Sequence, residues 1–378
     1  MSRVAIYPPS VPTEGGKVGQ GSSGIVGSVY FLIFSLEILE LKFGFCLPIF
    51  AGAGDVHPRT PLVERVDADQ LKSLILAAED LGYESLWVPD HLMMGKDQAI
   101  LEGWTTMCWA AGLTDRIKIG SIHLSNLLRS PSMTAKIAST LDVISKGRLE
   151  FFFEMGHRGT RAESEAYGFE FMEDPERLAD FEEAVQIIKL MWTEGASSFD
   201  GVHNSIDGAV NHPLPIQQPH PPLWIGTLGT EPSSTIAPNK QVFEIAAKYA
   251  DGWNNTPASP EQCRVMLDGL RKACERIGRD FGSMKKSVET QILIAPTRGD
   301  VDRLRDEISE TNPSLYDEAG WKHAEEQYLI GDPETVIARI SEYRSIGIDY
   351  MQLWFMDMPS EKGLRTFAES VAPAFSGR

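Results

Sequence analysis

A chain of 378 residues with 35 basic and 53 acidic side chains carries a formal charge of -18 and an isoelectric point near 4.9. That balance argues against nucleic acid or an anionic membrane as partner, since both need clustered Lys and Arg. Cys46, Cys108, Cys263 and Cys274 are widely separated and form no Cys-x-x-Cys, so neither a zinc knuckle nor a disulfide scaffold is indicated, and a reduced, cytoplasmic protein is expected.

Residues 1–24 are rich in Gly, Ser and Pro, and Ile25–Leu36 is an apolar run. The run is too short to span a bilayer and lacks the basic start and cleavage site of a signal peptide. Residues 1–40 are therefore read as a disordered or weakly ordered N-terminal extension, and residues 41–378 as the folded domain.

Lys42–Pro48 reads as the first strand, followed by the Gly-rich loop Ala51–Asp55. Asp69–Leu81 spaces Leu71, Leu74, Ile75, Ala78 and Leu81 three or four apart, the stripe of an amphipathic helix that Gly82 stops. Leu86, Trp87 and Val88 are consecutive and apolar, as in a parallel strand covered on both faces. Pro89 ends the ladder and leaves Asp90 and His91 at the carboxyl end, where α/β folds keep their chemistry.

Further strands are expected at Lys118–Leu124, Arg148–Met155, Leu223–Leu228, Asp251–Asn254, Val288–Ala295 and Tyr350–Met356. Between them, Ser130-Pro131, Asp174-Pro175, Ser259-Pro260 and Asp332-Pro333 read as N-caps followed by proline, and Gly147, Gly195, Gly278 and Gly347 as helix stops. Eight strands alternating with helices predict an α/β chain folded as a single (β/α)8 TIM barrel. Insertions are expected after strands 4 and 7, at the proline-rich Phe199–Pro222 and the charged Arg298–Ile330, both over the barrel mouth.

In that register His91 follows the second strand, His123 lies in the third, and Gly156, His157 and Arg158 follow the fourth, while Gly226, Thr227 and Gly229 end the fifth. Two chemistries compete for this collection. Three histidines from neighbouring strands could hold a metal, as in a hydrolase, although Glu154 is given no place in the lumen and no His-x-His stands on the first strand. Alternatively the small residues and backbone N–H groups of the Gly226–Gly229 turn suit a phosphate, with Arg158 and Arg161 adding charge. Trp253 and Trp354 are expected to fill core.

Several stretches in order resemble the luciferase-like family of flavin- and deazaflavin-dependent oxidoreductases from about Lys42 to the end: Ala77–Tyr83 leading to Trp87-Val88-Pro89-Asp90-His91, then Ala138–Arg148, Pro175-Glu176-Arg177 with Met191-Trp192, Pro219–Gly226 and Ala247–Trp253. The resemblance implies a (β/α)8 barrel with a reduced flavin-type ring, coenzyme F(420) or FMN, in its mouth. The cofactor-binding positions it implies are Ile122, His123, Gly156, His157, Arg158, Gly226, Thr227 and Gly229, with a non-proline cis peptide at Ile122–His123 behind the ring. His91 and Asp90 are the catalytic candidates. Asp90 either shares the chemistry or orients a neighbour, because adjacent strand residues face opposite ways.

With F(420) the implied reaction is hydride transfer to or from a small carbonyl, alcohol or imine, with His91 as general acid or base. With FMN it is a monooxygenase reaction that uses O2 and is fed by a flavin reductase. A barrel that binds flavin without turnover is the third reading. A small-molecule substrate and a homodimer follow from the same resemblance, and no metal is called for. One stretch departs from the family: Phe151–Arg158 is bulky and charged where relatives run through small, glycine-rich residues.

Overall fold

A computed structural model describes residues 40–52, 59–226, 240–256 and 258–376, apart from the Arg158 side chain. Except for its last residue, the expected extension 1–40 lies outside these, as do the turn residues Thr227 and Gly229. Eight parallel strands form the centre: β1 (Lys42–Cys46), β2 (Ser85–Val88), β3 (Lys118–Ser121), β4 (Leu149–Glu154), β5 (Leu223–Gly226), β6 (Gly252–Asn255), β7 (Lys285–Ile294) and β8 (Tyr350–Phe355). Each pairs with the next, and β8 pairs with β1, which closes the (β/α)8 barrel. Every strand starts within one residue of its expected start except β7, which begins three residues earlier, at Lys285.

Alternate side chains on each strand face the helices and the lumen. Phe45, Leu86, Phe151, Phe153, Ile225 and Leu353 pack outward with the helices in one buried cluster. Trp87, Phe152, Trp224, Tyr350 and Trp354 fill the lumen with Cys46 and Ile122. Glycines on the facing strands make these large rings possible: a Cβ at Gly120 would lie 2.5 Å from the Trp87 ring, and one at Gly252 would lie 2.3 Å from the Trp224 ring. At the amino end the buried Glu150 accepts a hydrogen bond from Trp224 Nε1 at 2.7 Å and pairs with Lys118 Nζ at 3.1 Å. Trp253 is core, as expected, stacked at a tilt against Phe243 in the outer layer.

The four proline-marked helix starts all hold, in Pro131–Ile144, Asp174–Glu194, Pro260–Ile277 and Pro333–Ser345. Side-chain caps form at Ser259, as a full capping box with Gln262, and at Asp332, but Ser130 makes no cap bond and Glu173 occupies the cap position before Asp174. Among the described residues no helix is long and apolar enough to cross a membrane.

The first insertion lies along the outside of the barrel on helix Asp174–Glu194 rather than over the mouth, which corrects the expectation that both cover it. Helix Asp174–Glu194 runs back from the carboxyl end of β4, so the antiparallel hairpin Ala196–Asp200/Ser205–Val210 starts at the amino end. Its tip folds along that same helix, where Glu183 accepts the backbone N–H groups of Val202, His203 and Asn204. The following segment is held low on the barrel, with Gln217 Nε2 donating to the Leu149 carbonyl at 2.8 Å. Helices Arg298–Thr311 and Glu318–Gln327, by contrast, do stand at the carboxyl end. There β7 runs past its barrel pairing with β8 and meets the short strand Leu329–Gly331, and Asn312 Nδ2 donates to the Pro61 carbonyl in the loop after β1.

Candidate active site

The strand alternation decides which residues reach the mouth. On β2 the lumen-facing positions are Ser85 and Trp87, so continuing past Pro89 the lumen position falls on His91 and the outward one on Asp90. Asp90 is 2 % exposed. Its carboxylate accepts both guanidinium branches of Arg129, at 2.7 and 2.8 Å, and the Ser125 N–H at 3.1 Å. Arg129 also donates to Glu102 at 2.9 Å. Asp90 thereby ties the loop after β2 to the loop after β3, away from His91.

His91 is joined instead to Glu163, on the short helix Arg161–Ala166. Its Nδ1 lies 2.7 Å from Glu163 Oε1, while Oε2 accepts the Leu92 and Met93 N–H groups at 2.9 and 3.1 Å. Burial pushes the Glu163 carboxyl up, but the His91 ring and these two amides outweigh it and hold the group below the usual carboxylate range. An ionised carboxylate only accepts, so Nδ1–H donates, and a neutral His91 keeps its lone pair on Nε2.

His157 has the opposite tautomer. The Gly159 N–H donates to its Nδ1 at 3.1 Å, which puts the proton of the neutral ring on Nε2. Burial, then repulsion from His91, His123 and Arg59, pushes His157 below the ordinary histidine value despite Glu154. Its ring centroid lies 6.5 Å from that of His91.

His123 follows the Ile122–His123 peptide, which is cis and not a proline bond, at the position the family resemblance implied. The ring tilts over Phe152 at 4.2 Å. Nδ1 lies 3.3 Å from Glu154 Oε2 and Nε2 lies 3.2 Å from Glu289 Oε2, the second contact lying outside hydrogen-bond geometry. Glu289 is anchored in turn by Trp354 Nε1 at 2.6 Å and Arg59 Nε at 3.1 Å. Burial opposes protonation of His123, but the two carboxylates outweigh it and raise the group to about 9. Burial likewise opposes ionisation of Glu289, which Arg59, His123 and Trp354 overcome to hold it at about 2.

A stability consequence follows from His123. Its folded value lies above the ordinary 6.5, so its contribution is complete below pH 6.5 and is lost as pH rises through about 9. The amount is on the order of 3 kcal/mol. The expected result is a thermal midpoint that falls between pH 7 and 10 in the wild type and much less in His123→Gln, measured by scanning calorimetry. Parallel curves for the two proteins would remove His123 as the source.

Sequence reading missed Glu163, Glu289, Arg59 and Arg129, and gave Glu154 no place in the lumen, whereas Glu154 faces inward on the same side of β4 as Glu150 and Phe152. The bulk of β4 that departs from the family pattern mostly points away from the mouth: Phe151 packs on Trp192 and Phe153 on Phe181, outside the barrel. Gly226 is also a mouth position, where a Cβ would come within 2.7 Å of the Phe152 ring and 2.8 Å of the Asn254 carbonyl. Gly156 has φ 78°, and a Cβ there would meet Leu127 at 2.4 Å. Among the described residues no group of three or more His, Cys, Asp or Glu side chains is arranged to hold a metal ion. What the mouth does offer is imidazoles and carboxylates at the strand ends over a buried apolar layer that includes Ile122 and Phe152, a set that suits the polar edges of a heterocycle. The expected phosphate-binding positions Thr227 and Gly229, and the side chain of Arg158, lie outside the described residues.

Barrel and mouth together define a TIM-barrel enzyme of the luciferase-like kind. A sequence profile of the luciferase-like monooxygenase family matches residues 41–350, and the chain belongs to that family. It is 26 % identical over 246 residues to a phthiodiolone/phenolphthiodiolone dimycocerosates ketoreductase of Mycobacterium sp. (strain JLS), a match that covers 59 % of this chain and 60 % of the ketoreductase. It is 24 % identical over 333 residues to an F(420)-dependent glucose-6-phosphate dehydrogenase of Kineococcus radiotolerans, covering 82 % of this chain and 94 % of the relative. Among solved structures, an F(420)-dependent secondary alcohol dehydrogenase bound to an F(420)–acetone adduct superposes with a TM-score of 0.68 at 21 % identity, covering 89 % of this chain and 99 % of the other.

Proposed function

We propose that this enzyme passes a hydride between coenzyme F(420) and a small carbonyl, alcohol or imine, with His91 as the general acid or base. The observation that carries the reading is the His91–Glu163 pair at the lumen end of β2. Glu163 holds the ring in one tautomer and one orientation, so that Nε2 is the atom that takes or gives the substrate's proton. The ketoreductase and the F(420)-dependent dehydrogenase among the relatives favour hydride transfer.

The cofactor would supply the hydride, and the chain supplies orientation, charge and exclusion of water. Ile122, His123, Gly156, His157 and Gly226 would hold its ring, and Arg158, Thr227 and Gly229 its phosphate. Asp90 belongs to positioning on this reading: through Arg129 it fixes the loop that carries His91. A homodimer in the cytoplasm, with residues 1–40 as an appended extension, belongs to the same proposal.

The test is anaerobic fluorescence titration of purified protein with reduced F(420) and, separately, reduced FMN. Selective tight binding of F(420) is the expected outcome. Selective binding of FMN would overturn it in favour of an O2-using monooxygenase supplied by a flavin reductase, the chemistry in the family's name. Binding of neither would remove the cofactor reading altogether.

A further inference from the structure

We propose that Glu289 is a positioning residue that works through His123: facing Nε2 while Glu154 faces Nδ1, it holds the ring as an imidazolium and keeps the floor of the mouth free of net negative charge, the condition for taking a ligand with an anionic edge. The geometry carries this. A neutral imidazole has a proton on one nitrogen only, and its other nitrogen would turn a lone pair toward a carboxylate. Carboxylate oxygens lie 3.3 and 3.2 Å from the two nitrogens; the Nε2 contact is off the hydrogen-bond line and acts as a close charge pair, so only the doubly protonated, cationic ring is attracted to both acids at once.

The described surroundings favour the charged form of His123. Both acids are nearly buried, with Glu154 at 7 % and Glu289 at 2 % side-chain exposure, and a buried carboxylate without a cation is strongly disfavoured. Arg59, from the loop after β1, supplies one cation to Glu289. His91 after β2 and His157 after β4 also lie close enough to bear on Glu154. His157, however, is pushed toward its neutral form, and His91 is engaged with Glu163. β1 contributes only the Cys46 thiol, which burial beside Glu289 pushes up and keeps protonated, and β8 only the Trp354 N–H. Among the described residues the second cation that the two acids need is therefore His123, whose raised value agrees. Loss of its proton would leave one buried carboxylate uncompensated in the mouth.

The part concerning the ligand rests on the cofactor reading above, whereas the role of Glu289 does not. The experiment has two arms. In the first, the ring resonances of His123, assigned by their loss in His123→Gln, are followed by NMR from pH 5 to 10 in the free wild type, Glu289→Gln and Glu154→Gln. The wild-type midpoint is expected near 9, and each variant should lower it by about one unit or more. A wild-type midpoint near 6.5, or two folded variants that leave it unmoved, would overturn the role of Glu289. In the second arm, dissociation constants for reduced F(420) and reduced FMN are measured across pH 6–10. For whichever cofactor binds, affinity should weaken on the alkaline side with the NMR midpoint and follow it downward in Glu289→Gln. Affinity independent of that midpoint overturns the ligand part while the first arm stands, and binding of neither cofactor to the wild type overturns it together with the functional reading.

Discussion

Replacing His91 with asparagine is expected to lower kcat by about 10²–10⁴-fold while the dissociation constant of the reduced cofactor stays near the wild-type value. The size follows from the role: a positioned general acid or base supplies that much, and asparagine has no titrating group near neutral pH. Glu163→Gln gives the accompanying result. Its carbonyl oxygen can still accept from His91 Nδ1, but its amide then turns an N–H toward the Leu92 and Met93 amides in place of Oε2. The expected outcome is a smaller fall in kcat with a displaced pH profile, which a purely structural loss would not produce. An unchanged kcat in His91→Asn sinks the assignment, and a loss of cofactor binding alone would make His91 a binding residue.

The second large effect is on stability. Arg129→Met leaves the Asp90 carboxylate, 1 % exposed, without its cation, and breaking one side of a buried ion pair destabilises by about 3–5 kcal/mol. Arg129→Lys keeps the charge but loses the two-branched contact, so it should fall between. Denaturant unfolding measures both. A change below about 1 kcal/mol for Arg129→Met would mean that the pair behaves like one at the surface.

The barrel was legible because several of its strands carry short apolar runs, Leu86–Val88, Phe151–Phe153, Leu223–Ile225 and Leu353–Phe355, and a parallel strand covered on both faces leaves that signature. The hairpin at 196–210 was not, because Ser198, Ser205 and Asp207 give it a polar, exposed surface that carries no core signal. Its placement depended on following helix Asp174–Glu194 back to the amino end, which strand counting passes over. In the site, His91, His123 and His157 could be found by residue type at strand ends. Their partners could not, since Glu163 lies 72 positions from His91 and reaches it only through a loop path. Glu289 left a fainter trace: on β7 the polar Ser287, Glu289 and Gln291 alternate with Val288, Thr290 and Ile292, and a period of two on a barrel strand marks a lumen face. Asp90 was open between two roles for the same reason, and the alternation assigns it the outward face.

The stopper of Trp87, Trp224 and Tyr350 above Glu150 has a kinetic meaning as well as a structural one. With the amino end filled, everything that reaches the mouth from solvent shares the opposite opening. A shared doorway sets an expected order: on the functional reading proposed above, a ligand that settles against the floor at His123 should arrive before the molecule that meets His91 and leave after it, which product-inhibition kinetics would check. That expected order rests on the glycines of β3 and β6, which give the rings the room to close the other end.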